Sequence, residues 1–416
     1  ILMMAMQFPP APSGGTENQC LRQARALVAR GHEVTVVTQW LTMQSRRREI
    51  IDGVVVRRMG CLMPATAMAR RWHDRLKSPY PKAGDVVSSK VADAKAPPKR
   101  FRWMSLSERP GRVSFLVETS WAVKSGRIRA DVVHVHESNW LAGFANWLAE
   151  MMGVPVFCKE ASQPVLSNGY APDTPWAQVW CDRRLKCRFI AMTDGIASDL
   201  EAAGIPGQQI VKIPNGVEIP AEAADPARNS DAIYVGNFTQ GFEWKGFDVL
   251  FQAWGRAHRQ EPGMRLYLYG RGDSRPWVAY AAEQGCGGSV VFAGETHDVW
   301  AAHRQCGFLV LPSRREGLSN ALLEAMASGL PAVVSGIDGN RTVVKDGETG
   351  IVVPVGDVDR LAEAMVNLYR SPELRVQMGR AARARMEERF AMGKVAEMLE
   401  SAYRGAIESP CSGPAH

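Results

Sequence analysis

Short apolar runs recur along this chain, each closed by glycine, proline or polar residues, with helical periodicity between them. Residues 1–6 form the first run. A loop containing Gly14-Gly15, a helical stretch over 17–29, a closing Gly31 and a second run at 34–38 follow. Strand, glycine loop, helix, strand is a βαβ unit whose loop falls where open parallel sheets bind ligands. Further strands are predicted at 54–56, 131–137, 154–160, 188–193 and 210–217, with a helix to Ala203 after the fourth. Residues 218–230, rich in alanine, acids and proline, read as a linker. The alternation then resumes, with strands at 232–236, 266–272, 290–294 and 307–312 and a helix over 247–258. Beyond Asp357 the pattern is helical through 361–370, from Pro372 onward, and over about 394–407. The fold class is α/β, in two doubly wound Rossmann-like halves.

Composition bounds this reading without redirecting it. At 416 residues two domains are expected, and 46% hydrophobic with 22% charged residues fits a globular chain. No apolar run reaches the length of a membrane span, and residues 1–6 read as a buried first strand of a chain trimmed at its start, not as a leader. The eight cysteines form no Cys-x-x-Cys pair, so neither a metal nor a disulfide is expected. Net charge is +7, yet residues 65–112 alone carry 12 Lys/Arg against 4 Asp/Glu. That points to one basic surface. Residues 61–111 read as an irregular basic insertion, with Trp72 and Trp103 set among its arginines. A solvated basic loop with inward-packed aromatics is the plain alternative to an acceptor or bilayer contact. No nucleic-acid motif accompanies them.

The densest chemistry lies at 307–331. The run 307–312 ends in Pro312 and reads as a buried parallel strand. Ser319 can cap a helix whose Ala321, Leu322, Ala325 and Met326 fall at helical spacing, and Gly329 and Pro331 end it. Glu316 then lies on a loop at the carboxyl edge of a strand, and Glu324 sits about 6 Å inside the helix. Helical side chains lean toward the amino end, so both carboxylates are expected at one mouth. The amides from Gly317 and Leu318 through Ser319, Asn320 and Ala321 suit a diphosphate. Taken singly, a first-turn glutamate is more often a dipole partner and a loop glutamate a solvated one. The whole string outlines a nucleotide-sugar site. Lys245, after a strand and a glycine turn, is a point charge able to neutralise a diphosphate, although an isolated lysine is usually a surface residue. His134 and His136 share a strand face by period two, and the strand end favours His136 for a ligand cleft. The spacing of Asp357 and Asp359 imitates a metal motif, but helix capping is the stronger reading.

The segment Glu316 to Ser335, with Gly339, Asp346-Gly347, Gly350, Val352-Val353-Pro354 and Gly356-Asp357, closely resembles the donor-binding segment of retaining glycosyltransferases of family four, the group 1 glycosyl transferases. Pro214-Asn215-Gly216-Val217 resembles that family's domain exit. The likeness covers nearly all the chain and is poor over 41–130. It implies a GT-B fold, two Rossmann-like domains facing across a cleft: 1–217 on the acceptor side, the linker 218–230, 231–390 binding the nucleotide sugar, a helix over 391–407 packing back on the first domain, and a loose tail at 408–416. It further implies sugar transfer from a nucleoside diphosphate to a glycan or lipid-linked acceptor with retention of configuration. Lys245, Glu316 and His136 are the candidate catalytic residues. Gly14, Gly15, Asn237, Arg271, Gly294, the stretch Gly317 to Ala321 and Glu324 are the candidate donor contacts. No cofactor or metal and no nucleic-acid partner is expected. The location is expected to be cytoplasmic, with peripheral attachment to an anionic inner membrane face through the basic segment. Relatives commonly carry an arginine where this chain has Asn237, so either another cation, such as Arg271, Arg314 or Arg315, replaces the missing charge, or activity is weakened. Asn237 also keeps open a non-catalytic binding protein on the same fold. A phosphorylase or epimerase of that fold is the other rival.

Overall fold

The computed structural model describes residues 1–9, 14–40, 45–60, 109–161, 182–238 and 243–408. Trp72, Trp103, nearly all of the expected basic insertion and the tail lie outside the described residues. The chain divides into two units. Unit 1 holds 1–191, 196–213 and the chain from Ala396 on, and unit 2 holds 192–195 and 214–395.

Unit 1 runs β1 (Leu2–Met4), α1 (Gly15–Ala29), β2 (Thr35–Gln39), β3 (Arg48–Ile51), β4 (Val54–Met59), α2 (Arg109–Lys124), β5 (Val133–Val135), α3 (Trp140–Met152), β6 (Val156–Glu160), β7 (Arg188–Ala191), α4 (Asp194–Ala202) and β8 (Ile210–Lys212). Its sheet has the order β3-β4-β2-β1-β5-β6-β7-β8, parallel except for the antiparallel β3–β4 pair. All three residues of β1 are fully buried, as expected of a central strand covered on both faces.

Unit 2 runs β9 (Ala232–Val235), a 3-10 turn at Glu243–Lys245, α5 (Phe247–Gln260), β10 (Leu266–Tyr269), α6 (Arg275–Glu283), β11 (Val290–Gly294), α7 (Val299–Arg304), β12 (Phe308–Leu311), α8 (Asn320–Ala327), β13 (Ala332–Ser335), α9 (Asp338–Val343), β14 (Gly350–Val353), α10 (Val358–Arg370) and α11 (Pro372–Arg385). A π-helical turn at Met386–Phe390 leads into α12 (Met392–Glu408). The order β11-β10-β9-β12-β13-β14 is parallel throughout. Strand order reverses beside the first strand of each sheet, β1 or β9, which opens a crevice at the carboxyl edge.

Three differences from the sequence reading have physical causes. The edge strand β3 was not expected, because it alternates exposed and half-buried residues instead of showing an apolar run. Residues 218–230 are not a free tether. Ala224 N–H donates to Ser328 O, Arg383 to Pro220 O, Arg375 to Pro226 O and Asn229 to Arg304 O, which lays the segment along unit 2. The division between units falls after Ile213, and Val217 pairs within unit 2 through its N–H to Phe390 O and its carbonyl to Met392 N–H. From Ala396 on, α12 packs in unit 1, where Arg30 meets Glu397 and Glu400 and the Tyr403 hydroxyl lies 2.6 Å from His134 Nδ1.

Unit 2 is centred on Trp254 of α5, fully buried, with its indole N–H on Ser289 Oγ at 3.0 Å. Replacing it by alanine is expected to cost about 3–5 kcal/mol through lost burial and the cavity left. Amide hydrogen exchange should then show faster opening across β9, β10 and β12, while β1, β2 and β5 keep their protection.

Candidate functional site

Unit 2 gathers its chemistry at the carboxyl ends of β9 and β12, which flank the reversal of strand order. Pro312 stops β12, and Arg314 N–H then donates to Trp244 O at 2.6 Å. Gly246 makes this approach possible. Its φ is +72°, and a Cβ there would stand 2.2 Å from Pro312 O, so only glycine lets the 243–245 turn lie against the strand end. The turn delivers the Lys245 ammonium onto Glu316 Oε1, an ion pair whose side chains are 20% and 14% exposed. Ser313 Oγ donates to the same carboxylate oxygen at 3.1 Å. Beneath it, Ser335 Oγ donates to Ser313 O, and Asn340 Nδ2 donates to Ser335 O at 2.9 Å.

Two further contacts fix the loop. A Cβ at Gly339 would stand 1.8 Å from Gly317 O, so α9 closes on the loop only because that position is glycine. Asn215 donates from Nδ2 to Leu318 O and to Asn320 Oδ1, both at 3.1 Å. Sequence reasoning read Asn215 as part of a domain exit and missed this role. Its partners lie 103 and 105 residues away, a distance no local pattern reports. Ser319 occupies the N-cap of α8, but its hydroxyl makes no cap hydrogen bond, which corrects that detail of the reading. Glu324 lies one turn inside α8 and is buried.

Asn237, Arg271 and Gly294 fall at the neighbouring ends of β9, β10 and β11. Arg271 N–H donates to Asn237 Oδ1 at 3.4 Å, Phe238 N–H to Arg271 O at 2.9 Å and Gly270 N–H to Gly294 O at 2.8 Å. The three arginines expected to replace a missing charge differ. Arg271 pairs with Glu295 at 2.9 Å, Arg314 pairs with both oxygens of Asp248, and Arg315 is exposed with its guanidinium 5.8 Å from the Trp244 ring. Asp357 accepts from Arg360 N–H at 2.9 Å and caps α10, and Asp359 pairs with Arg256, as the capping reading anticipates.

Gly14, Gly15 and His136 lie in unit 1. Gly14 precedes α1, and its N–H donates to Glu17 Oε2 at 2.8 Å. His136 follows β5 as expected, but it has no exposed surface, so the expected opening onto a cleft is not what this structure shows. Its ring stacks on His134 at 4.3 Å, and neither of its nitrogens has a hydrogen-bond partner among the described residues. Glu137 ties the neighbouring loops, accepting from Met6 N–H at 3.4 Å and from Asn139 Nδ2 at 2.6 Å. Burial, with repulsion from Lys159, holds the His134 imidazole down at about 3. Burial, His134 and Lys159 together hold His136 well below its ordinary value. Burial lowers Lys159 to about 7.

Two α/β units, each with a largely or wholly parallel sheet, are the components of the GT-B architecture. Residues 229–371 match the family model for glycosyl transferases group 1, and residues 14–216 match the glycosyl transferase 4-like domain. The phosphatidyl-myo-inositol mannosyltransferase of Mycobacterium leprae is 30% identical over 291 residues, covering 67% of this chain and 74% of that protein. The chain belongs to the group 1 glycosyltransferases of the family-four type. Among solved structures, sucrose-phosphate synthase from Thermosynechococcus elongatus superposes with a TM-score of 0.72 at 19% identity, covering 98% of this chain and 99% of that one. Anabaena HepE in complex with UDP and glucose superposes with a TM-score of 0.69 at 14% identity, covering 97% and 99%. At these identities the structures speak for the fold.

Two outcomes follow from the geometry. Asn215→Ala removes both anchors of the loop and should cost about 1–3 kcal/mol of local order, seen as faster amide exchange over 317–321. The second concerns unit 1. Folding lowers the histidine pKa values below the unfolded 6.5, so the unfolded chain binds more protons between about 6.5 and about 3. Stability is therefore lost as pH falls through that window. Lys159 acts with the same sign between 10.5 and about 7. Urea unfolding of unit 1 should need less denaturant toward acid pH, and His136→Asn should flatten the dependence below about 6.5.

Proposed function

We propose that this chain transfers a sugar from a nucleoside diphosphate donor to a glycan or glycolipid acceptor with retention of configuration, in cell-surface polysaccharide or glycolipid synthesis. The observation that carries this is the Lys245–Glu316 pair at the end of β12, beside the first turn of α8. A diphosphate brings more negative charge than one carboxylate, so Lys245 exchanges Glu316 for the phosphates and stabilises the departing group. Glu316, released, accepts hydrogen bonds from sugar hydroxyls and orients the ring. The amides of Leu318 to Ala321 face the phosphates at the helix start, and Glu324 accepts from the ribose hydroxyls. Asn237, Arg271 and Gly294 border the base. Gly14, Gly15 and His136 take donor-contacting roles on the family likeness, and for His136 this requires that its buried ring be uncovered. The diphosphate charge is met by protein groups without a metal, and Arg315 supplies the second cation in place of Asn237.

The relatives support parts of this reading. The name of the mycobacterial mannosyltransferase specifies a phosphatidylinositol acceptor, and the HepE complex holds UDP and glucose. Asn237 favours a second reading, a binding protein without turnover.

Release of nucleoside diphosphate from a panel of nucleotide sugars separates the two. Transfer predicts turnover that survives EDTA, with the anomeric configuration of the product retained by NMR. Lys245→Met and Glu316→Gln should each lower kcat/KM about 100-fold or more. Donor affinity and turnover unchanged in both variants would refute the site. Binding without turnover in the parent would leave the second reading.

A further inference from the structure

Tyr234 carries a hydroxyl that the packing of unit 2 does not use. The residue is fully buried in β9, and its ring lies against Phe247, the first residue of α5, with centroids 4.9 Å apart. Phe247 in turn meets Phe238, Trp277 and Phe251 at 5.0 to 6.4 Å. Tyr234 therefore borders an aromatic cluster that a phenylalanine would complete as well. Its hydroxyl has no hydrogen-bond partner among the described residues. Buried polar groups are as a rule satisfied, and an unsatisfied one destabilises the fold that holds it.

The hydroxyl stands at the carboxyl edge of the sheet. A Cβ at Gly236 would lie 2.7 Å from it, which puts it against the turn that ends β9. Phe247, on which the ring packs, follows two residues after Lys245, the partner of Glu316. Charge agrees with this placement. Burial first, then the Glu316 carboxylate, hold the Tyr234 phenol well above its ordinary value, so the group stays a donor within the field of that carboxylate. Lys245 and Ser313 both bond Glu316 through Oε1, and neither occupies Oε2. Once Lys245 turns to a diphosphate, Glu316 keeps Ser313 alone of these two partners. A carboxylate only 14% exposed is then poorly compensated.

We propose that Tyr234 is a positioning residue for Glu316: as Lys245 turns to the diphosphate, the Tyr234 hydroxyl donates to Glu316 Oε2 and keeps the carboxylate directed at the sugar. This rests on the Lys245 exchange proposed above. An O–H bond to an ionised carboxylate is among the stronger hydrogen bonds, so one buried hydroxyl offsets much of what Lys245 withdraws. Tyr234 touches neither donor nor acceptor and transfers no proton.

The test begins without donor, on the full chain, because Lys245→Met imitates the departure of the ammonium. Tyr234→Phe alone should leave the urea midpoint unchanged or raise it. In the Lys245→Met background the same change should raise the unfolding equilibrium constant about tenfold or more, and adding Glu316→Gln should abolish that effect. With the nucleotide sugar that the parent turns over fastest, Tyr234→Phe should lower kcat/KM about tenfold, with no further loss in Glu316→Gln. A merely structural tyrosine would act alike in every background. Equal effects of Tyr234→Phe with and without Lys245, or with and without Glu316, overturn the proposal. A parent that binds no nucleotide sugar overturns the exchange and the proposal with it. That failure is told apart from the first because the donor-free coupling persists.

Discussion

The loop after β12 carries a carboxylate that is mostly out of water, and its neighbours are arranged to make that tolerable. A partly buried charge without partners is costly, and removing one member of such a pair leaves the other stranded. Glu316 is held by Lys245 and Ser313, and Ser313 is itself held through its carbonyl by Ser335. Asn340 completes the chain at Ser335. The close approaches at Gly246 and Gly339 follow from the same requirement, because a side chain at either would push apart the partners that neutralise Glu316. The site is therefore a set of mutually dependent contacts, and its order should be lost together.

Both units bury ionisable groups. In unit 2 burial lowers the His303 imidazole to about 4, while Lys245 and Glu316 stay part-exposed and paired at the strand ends. Unit 1 places His134, His136 and Lys159 inside the sheet, where burial lowers their proton affinity and the imidazoles stay neutral. The His136 imidazole is fully buried, with both nitrogens unpartnered among the described residues. Tyr403 of α12 holds the adjacent His134, so the C-terminal helix contributes to keeping that pair enclosed.

The sequence pattern made the strands legible where parallel pairing buries both faces. β1, β9 and β12 are short apolar runs, and Gly236 and Pro312 close the last two. Glu316 and Glu324 could be placed because a strand, a loop and a helix start lie within one short segment. What could not be read depended on distance or on weak patterning. β3 alternates and sits on an edge. α2 follows the stretch whose composition hides any periodicity. The partner of Glu316 stands 71 residues away, and Asn215 reaches the same loop from beyond 100 residues. Local chemistry named the participants, while only the fold could pair them.

Asn237 occupies the position where the family resemblance leads one to expect an arginine. The asparagine instead accepts from the Arg271 amide, and Phe238 returns a hydrogen bond to Arg271 O, so the position joins the β9 and β10 loops. Two of the three nearby arginines are neutralised by Glu295 and Asp248. Arg314 would have to give up two oxygens of one carboxylate to serve a ligand, a demanding exchange for a bidentate pair. Arg315 gives up only the face of Trp244, a weak contact at the protein surface. Of the three, Arg315 has no carboxylate partner among the described residues, and it adjoins Glu316 in sequence.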